Sequence, residues 1–217
     1  MKDKTVIDAA MTGPYPLLLA SKSEARQRLM RDLGFVFETL NPGVDEQEVK
    51  RALVAQQATG SQIAETLAEL KAQKASALNP GTLCIGGDQV LVCGDVHFDK
   101  PVDMDHAKAQ LMALSGKDHR LETSVCLVLN GQRLWHQNDV ALLTMRALTQ
   151  KDIDRYLSFV GEAVLHSVGC YRLEKEGAFL LTKVTGDPYV VQGLPLIPLV
   201  RQLSHLGYPG LATVTPV

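Results

Sequence analysis

The sequence lacks any long apolar run, and this absence bears on where the protein could reside. No window approaches the roughly 20 apolar residues that a membrane helix needs, and no lipidation motif is visible. The apolar stretch that follows Lys4 is broken at Asp8, before it reaches the length of a signal-peptide core. We therefore expect no membrane association and a cytoplasmic location.

An excess of charge of either sign is also missing. The chain has 22 Lys plus Arg against 24 Asp plus Glu, a formal net charge of -2. Such a balance provides no general positive field for long nucleic acid, so we expect no partner of that kind. Any site for a polyanion must be local.

Cysteine is scarce, and several common catalytic motifs are absent. The four cysteines form no C-x-x-C pair, so we expect neither a disulfide framework nor a structural zinc. The chain contains no G-x-S-x-G, H-E-x-x-H, P-loop or G-x-G-x-x-G motif. Serine hydrolases, zincins and dinucleotide-binding enzymes are therefore poor interpretations.

What remains is the composition of an ordinary globular protein. The 217 residues are 46% hydrophobic and 21% charged, which fits one domain or two small halves that share a cleft. Residues 1–13 are interpreted as a flexible leader, closed by Gly13 and Pro14. Residues 14–217 are expected to form a single domain.

Strand-like and helical patterns alternate along this domain, which predicts an α/β fold with a mixed sheet. Two glycines, Gly86 and Gly87, are expected to interrupt one strand, where they allow the backbone to bend or to come close to a ligand, and an Asn130–Gly131 turn is expected to join two others. The patterns predict strands over 16–20, 35–40, 83–92, 121–129, 134–143, 168–173 and 179–184. They predict helices over 24–33, 61–78, 103–115, 149–161 and 196–206.

Short loops with small residues, lysines and acids suit phosphate chemistry. A helix that begins near Ser23 would direct backbone N–H groups at an anion, with Ser21 as a further donor and Arg26 able to grip two oxygens. The alternative is an ordinary capped surface helix, which is commoner. Lys71 and Lys100, taken singly, are more often surface lysines than ligands.

Acidic residues are the second candidate group. Asp88 follows two glycines inside an apolar strand, where a carboxylate is costly to bury unless it is paired, binds a metal or performs chemistry. Asp45 and Glu46 could help to hold a divalent ion, or they could form an ordinary solvated loop or element edge. These alternatives stay open on the residues alone.

Eight short segments, spread in order over most of the chain, carry a resemblance to a known family. They are LLASKSEAR (18–26), GVDE (43–46), LAELKA (67–72), IGGDQV (85–90), KP (100–101), LSG (114–116), GCY (169–171) and VQGLPL (191–196). Together they resemble the Maf family, known as septum formation inhibitor proteins and regarded as nucleoside triphosphate pyrophosphatases. The resemblance implies a mixed, twisted β-sheet flanked by helices, two lobes around a nucleotide cleft, and a homodimer.

The resemblance also implies roles for the candidate residues. Asp88 would accept a proton, and Glu46 together with Asp88 would hold a divalent cation, Mg²⁺ or Mn²⁺. A nucleoside triphosphate would be cleaved to the monophosphate and pyrophosphate. The residues implied to surround its phosphates are Ser21, Arg26, Lys71 and Lys100.

Three further positions, Ala25, Gln89 and Glu174, correspond to places where the family's subgroups differ, and here they are similar to the 7-methyl-GTP pyrophosphatase subgroup. A glutamate only accepts hydrogen bonds, so Glu174 would suit the N–H donors of guanine and not the carbonyl groups of uracil or thymine. The positive ring of 7-methylguanine could be favoured by Glu174 or by a stacked Tyr171. The alternatives are a pyrophosphatase for dTTP and UTP or for many triphosphates, and a non-catalytic nucleotide-binding regulator of septum formation.

Overall fold

The computed structural model describes residues 13–208 and has a seven-stranded mixed sheet at its centre. The predicted leader lies outside the described residues except for Gly13, as do the last nine residues of the predicted domain. The strands are β1 (Leu17–Leu19), β2 (Glu38–Thr39), β3 (Leu83–Cys93), β4 (Val96–Phe98), β5 (Asp118–Leu129), β6 (Gln132–Met145) and β7 (Leu181–Thr185). The helices are α1 (Glu24–Asp32), α2 (Glu46–Ala55), α3 (Gly60–Leu78), α4 (Met104–Leu114), α5 (Gln150–Val160), α6 (Pro188–Val191) and α7 (Leu196–His205).

The sheet has the strand order β2-β1-β3-β5-β6-β7, with β4 paired to β3. Strand β1 runs parallel to both β2 and β3, whereas the β3–β5, β5–β6 and β6–β7 pairs are antiparallel. The prediction of a mixed α/β fold is confirmed. Within residues 13–208, none of the helices combines the length and the apolar character that crossing a bilayer requires.

Strand β3 and helix α3 make the contact that organises the site. Helix α3 begins at a capping box in which Thr59 and Gln62 satisfy each other's backbone N–H groups. A Cβ atom on Gly86 would lie 1.9 Å from the carbonyl oxygen of Ala68 on α3, so only glycine permits this approach. The expected interruption of the strand at Gly86 is therefore wrong, because the glycine admits a helix instead of bending the strand.

Alternation along β3 sends successive side chains to opposite faces of the sheet. Gly86 and Asp88 face α3, whereas Gly87 and Gln89 face the other side, towards Arg26 and the α6 region. Asp88 and Gln89, although adjacent on β3, therefore contact different elements on opposite faces of the sheet.

Three other local expectations need correction. The strand predicted over 35–40 is reduced to the two residues of β2, and the one predicted over 168–173 is a 3-10 segment, Val168–Cys170. Gly169 and Cys170 have φ angles of 73° and 62°, which extended strands do not allow. Helix α2 was not predicted; Asp45 caps its N-terminus and Glu46 is its first residue, so the expected element edge is the start of a helix.

Candidate active site

A buried ion-pair cluster lies where α3 crosses β3 and α2 begins. The ammonium of Lys71 lies 2.7 Å from Oδ1 of Asp88 and 2.8 Å from Oε1 of Glu46. The Lys71 and Asp88 side chains are 8% and 7% exposed, whereas the Glu46 side chain is 48% exposed. Because a buried charge is costly unless it is compensated, this lysine and these carboxylates depend on one another.

The second oxygen of Asp88, Oδ2, is buried and has no hydrogen-bond partner among the residues that the structure describes. Buried polar atoms are nearly always hydrogen-bonded, so an unpartnered carboxylate oxygen needs an explanation. It is available to a ligand, to a water molecule or to a neighbouring hydroxyl group.

The start of α1 contributes a second, cationic part of the cluster. The Ser21 hydroxyl accepts hydrogen bonds from the Ser23 backbone N–H and from Nη1 of Arg26, both at 3.2 Å. Nε of Arg26 donates to the carbonyl oxygen of Gly193 at 2.6 Å, a bond between segments 167 residues apart in sequence. Arg26 is therefore held at a fixed place beside Gly87, where a Cβ atom would lie 3.2 Å from Nε.

The charges of the α1 residue Arg26, of Lys100 and of the two carboxylates interact, which affects the pKa values of Arg26 and Lys100. Burial lowers the pKa of Arg26, while the Asp88 and Glu46 carboxylates act to raise it. The pKa of Lys100 is lowered, first by desolvation and then by the positive charge of Arg26. Its side chain remains exposed, so solvent screens part of this effect.

The Glu46 carboxylate stays ionised in this system. Burial acts to raise its pKa, but the attraction and hydrogen bond of Lys71, together with the attraction of Lys100 and Lys50, lower the pKa overall. Three cations, Arg26, Lys71 and Lys100, are thus coupled electrostatically to two carboxylates, although Arg26 lies on the opposite face of β3 from Asp88. An arrangement with surplus positive charge and two carboxylates can bind a polyphosphate and a cation that accompanies it.

A divalent metal fits the carboxylates that are present. Mg²⁺ is commonly held by one or two carboxylates with the remaining positions filled by substrate phosphates and water. Glu46 and Asp88 supply two carboxylates that meet at one ammonium group, and Asp88 keeps an unpartnered oxygen. Residues 13–208 contain no group of three or more His, Cys, Asp or Glu side chains arranged to hold a metal by themselves.

The three positions expected to select the base are not part of this ion-pair cluster. Nε2 of Gln89 donates to Thr123 Oγ1 at 2.9 Å and to the Val190 carbonyl at 2.8 Å, on the face of β3 opposite Asp88. Glu174 forms an ion pair of 2.9 Å with Nη2 of Arg28 on α1. Ala25, half-buried, lies one helical turn before Arg28, so the same part of α1 links positions 25 and 174.

The expectation that Tyr171 could stack on the base is wrong. Its side chain is 5% exposed and belongs to the hydrophobic core, and its hydroxyl lies 2.7 Å from Nε2 of His119. A fully packed ring cannot offer a face to a ligand. The sequence motif around Gly169 therefore has a packing role in this structure.

Arg28 and Gly193 hold other side chains of the site in place, and neither was identified in this role from the sequence. Arg28 holds both Glu174 and the side-chain oxygen of Gln192, at 2.9 and 2.8 Å, and Gly193 receives Arg26. Segment 191–196 was quoted only as part of a motif; its contact with Arg26 shows why it matters.

The two most prominent surface grooves lie beside these residues and not on them. One, of about 560 Å³, is lined by α1 and the segment leading to β2, including Gln27 and Glu38. The other, of about 390 Å³, lies on the outer side of α2 and α3, including Asp45 and Lys74. Neither groove is lined by Asp88 or Lys71.

The fold and the cluster define an α/β protein with a charged site suited to polyphosphates. The family model described as "Maf-like protein" matches residues 16–206, and the chain therefore belongs to the Maf family. It is 45% identical over 190 residues to a protein of Paramagnetospirillum magneticum named nucleoside triphosphate pyrophosphatase, covering 88% of this chain and 98% of that one. It is 43% identical over 189 residues to a protein of Brucella abortus named 7-methyl-GTP pyrophosphatase, covering 87% and 95% respectively.

Proposed function

We propose that this protein hydrolyses a nucleoside triphosphate to the monophosphate and pyrophosphate, and that 7-methyl-GTP is its preferred substrate. The observation that carries the proposal is the contact of Lys71 with both Asp88 and Glu46 inside a cluster of three cations. The Maf-family relatives named for this activity support the same conclusion.

The positive side chains would bind the triphosphate. Arg26 is fixed by Ser21 and Gly193 and can present its remaining guanidinium donors to phosphate oxygens. Lys71 and Lys100 would supply further charge where the phosphate oxygens become more negative in the transition state. Because these groups are already positioned, little reorganisation is needed at the moment of reaction.

Asp88 is the proposed proton acceptor. It would take a proton from a water molecule whose oxygen attacks the α-phosphorus, and the bond to the β-phosphate oxygen would break to release pyrophosphate. Its burial keeps bulk water away, and the contact with Lys71 holds Oδ1 in place. Glu46 and Asp88 would hold Mg²⁺ or Mn²⁺, and a bound divalent ion would neutralise charge on the phosphate oxygens.

The preference for a guanine base is argued from hydrogen-bond acceptors. With Nε2 of Gln89 engaged by protein oxygens, the side-chain atom left for a ligand is the acceptor Oε1. Glu174 is likewise an acceptor, and one of its oxygens is used by Arg28. Two acceptors suit the N1–H and N2–H donors of guanine, and the anionic Glu174 suits the positive ring of the 7-methylated base.

We also propose that residues 14–217 form one domain with two lobes around the nucleotide cleft, and that the protein is a homodimer in the cytoplasm.

The test is a substrate panel. Purified protein with Mg²⁺ is incubated separately with 7-methyl-GTP, GTP, dTTP, UTP and CTP, and pyrophosphate and phosphate are quantified. We expect pyrophosphate mainly from 7-methyl-GTP, and a loss of that preference in Glu174→Gln. Glu176→Gln is the matched control, since Glu176 is also a partly exposed carboxylate paired with an arginine, Arg172.

Each alternative gives its own result. A preference for dTTP or UTP, or an unchanged preference in Glu174→Gln, would contradict the base assignment and leave the reaction class intact. Release of phosphate in place of pyrophosphate would contradict the reaction class. Nucleotide binding without turnover of any of the five would support the regulator.

A further inference from the structure

Three unpartnered polar atoms lie in a row beneath α3. Asp88 Oδ2, Ser124 Oγ and Asn138 Oδ1 are each buried and have no hydrogen-bond partner within the described part of the chain. Asp88 on β3 is directly opposite Ser124 on β5, which is directly opposite Asn138 on β6. Directly opposite residues on antiparallel strands project to the same face, with Cβ atoms about 4.5–5.5 Å apart.

The face that carries this row is the one covered by α3. Along β5, the residues two positions before and after Ser124 both meet α3: Glu122 accepts a hydrogen bond from Ser61 at 2.8 Å, and Cys126 packs against Ala68. Ser124 lies between them and is 0% exposed. Its hydroxyl group therefore has no access to bulk solvent and must find its partner inside the protein.

Of these three unpartnered atoms, only Ser124 Oγ carries a proton that it can donate. An ionised Asp88 only accepts, and Oδ1 of Asn138 also only accepts, while Nδ2 of Asn138 already donates to Glu65 at 2.8 Å. A hydroxyl has a single proton, so it can serve one of the two acceptors. A hydrogen bond to an ionised oxygen is roughly twice as strong as one to a neutral oxygen, which favours Asp88.

We infer that Ser124 is a positioning residue for Asp88: rotation about its Cα–Cβ bond brings the hydroxyl group to Oδ2 of that carboxylate, to which the hydroxyl donates a hydrogen bond. Oδ1 would then be the oxygen presented to Lys71 and to the attacking water, while Oδ2 keeps a second lone pair for the divalent ion proposed above. If Lys71 moves towards the phosphates, Ser124 keeps the carboxylate in place. This inference rests on the proposed role of Asp88 as proton acceptor.

The experiment compares steady-state kinetics of pyrophosphate release from 7-methyl-GTP in the wild type and five variants. In Ser124→Ala we expect kcat to fall roughly tenfold or more, the loss typical of a hydrogen bond to a charged group, with KM little changed. Ser124→Thr keeps a hydroxyl and should recover most of the kcat. Cys126→Ala is the matched packing control, because Cys126 is equally buried on the same strand face.

Asn138→Leu tests the competing acceptor. If the Ser124 hydroxyl serves Asp88, removing the Asn138 oxygen should leave kcat near that of the wild type, with any loss confined to thermal stability. A fall in kcat as large as that in Ser124→Ala would show that Ser124 acts through Asn138, and would overturn the inference.

The remaining outcomes separate this inference from the proposed function. If the wild type releases no pyrophosphate, the proposed function fails and the inference with it. If Asp88→Asn turns over like the wild type, the role of Asp88 as proton acceptor fails, and the inference with it, while the reaction class stands. If Asp88→Asn is inactive while Ser124→Ala keeps its kcat, or loses no more than Cys126→Ala, the inference alone fails. If the added methyl group of Ser124→Thr lowers the melting temperature, that variant no longer tests the inference. The kcat of Ser124→Ala is then compared with that of Cys126→Ala, and only a larger loss in Ser124→Ala supports the role of the hydroxyl.

Discussion

Replacing Gly86 by alanine should drive β3 and α3 apart. The added Cβ would lie 1.9 Å from the Ala68 carbonyl oxygen and 2.9 Å from the Ala72 backbone nitrogen. Both are backbone atoms of a packed helix, so neither can rotate away as a flexible side chain could. Restoring ordinary van der Waals separation requires the two elements to move apart by more than roughly 1 Å.

The expected cost follows from this overpacking. Extra methylenes in well-packed cores typically cost about 1–3 kcal/mol, and a clash with backbone belongs at the upper end of that range. For a domain of this size, about 3 kcal/mol corresponds to a fall of roughly 6–12 °C in Tm. Thermal unfolding followed by circular dichroism measures it.

The separation of β3 from α3 in Gly86→Ala should also displace Asp88 from Lys71. Asp88 is two residues from Gly86 and contacts Lys71 on α3 at 2.7 Å, so a separation of 1 Å would break that contact. A displacement of this size at a catalytic group can cost about 10²-fold in rate. We therefore expect pyrophosphate release to fall much more than the loss of folded protein explains.

Gly87→Ala is the matched comparison. Its Cβ would lie 3.2 Å from Nε of the Arg26 side chain and 3.6 Å from the backbone oxygen of Ser124, so a small movement of Arg26 relieves it. We expect a smaller loss of Tm than in Gly86→Ala. Equal Tm values for the wild type and Gly86→Ala would refute the account of how α3 and β3 fix the site.

Three further predictions concern the cations. Lys71→Met should lower the free energy of unfolding by about 3–5 kcal/mol, because the buried Asp88 carboxylate would lose its partner; denaturant unfolding measures it, and a change below 1 kcal/mol would contradict the stated dependence. Arg26→Lys should raise KM for the nucleotide with little loss of folded protein. A lysine cannot reproduce the guanidinium's hydrogen bonds to Ser21 and Gly193 and still keep donors for phosphate. An unchanged KM would argue against a role of Arg26 in phosphate binding. Because the pKa of Lys100 is lowered from the usual 10.5, its positive charge is lost at a lower pH than in a free lysine, and KM for the nucleotide should rise at alkaline pH. In Lys100→Arg that rise should occur at higher pH. Identical pH profiles of KM in the wild type and the variant would contradict the role of Lys100.

Much of the fold could be predicted because local signals are strong where helices are capped. The helices predicted over 103–115 and 149–161 begin next to Asp103 and Thr149, and each of these side chains accepts a backbone N–H of the first turn in the structure. The Asn130–Gly131 turn likewise joins β5 to β6, with both residues at positive φ. Such signals depend on residues close in sequence, so composition and spacing are enough to find them.

Other elements could not be predicted because tertiary contacts decide them. Gly86 marks a close approach of α3, which spacing along the strand cannot distinguish from a bend. The apolar residues around Cys170 are buried without being extended, since a 3-10 turn and a left-handed residue place them in the core. Helix α2 was not predicted; none of its residues is buried, so it does not contribute to the core that the apolar pattern was used to find.

The candidate site shows the same division. Ser21 and Arg26 could be predicted as neighbours because one helix start carries both. The contact of Lys71 with Glu46 and Asp88 joins α3 to two other elements, and no spacing rule reveals it. The Ser124 hydroxyl becomes relevant only through strand register, which places it opposite Asp88.

The most direct test of the central claim is the product released from 7-methyl-GTP and Mg²⁺ by the wild type and by Asp88→Asn. The account predicts pyrophosphate and 7-methyl-GMP from the wild type, and loss of both products in the variant, while circular dichroism confirms that the variant is folded. Pyrophosphate release from Asp88→Asn at the wild-type rate would contradict the claim that Asp88 is the proton acceptor of this site.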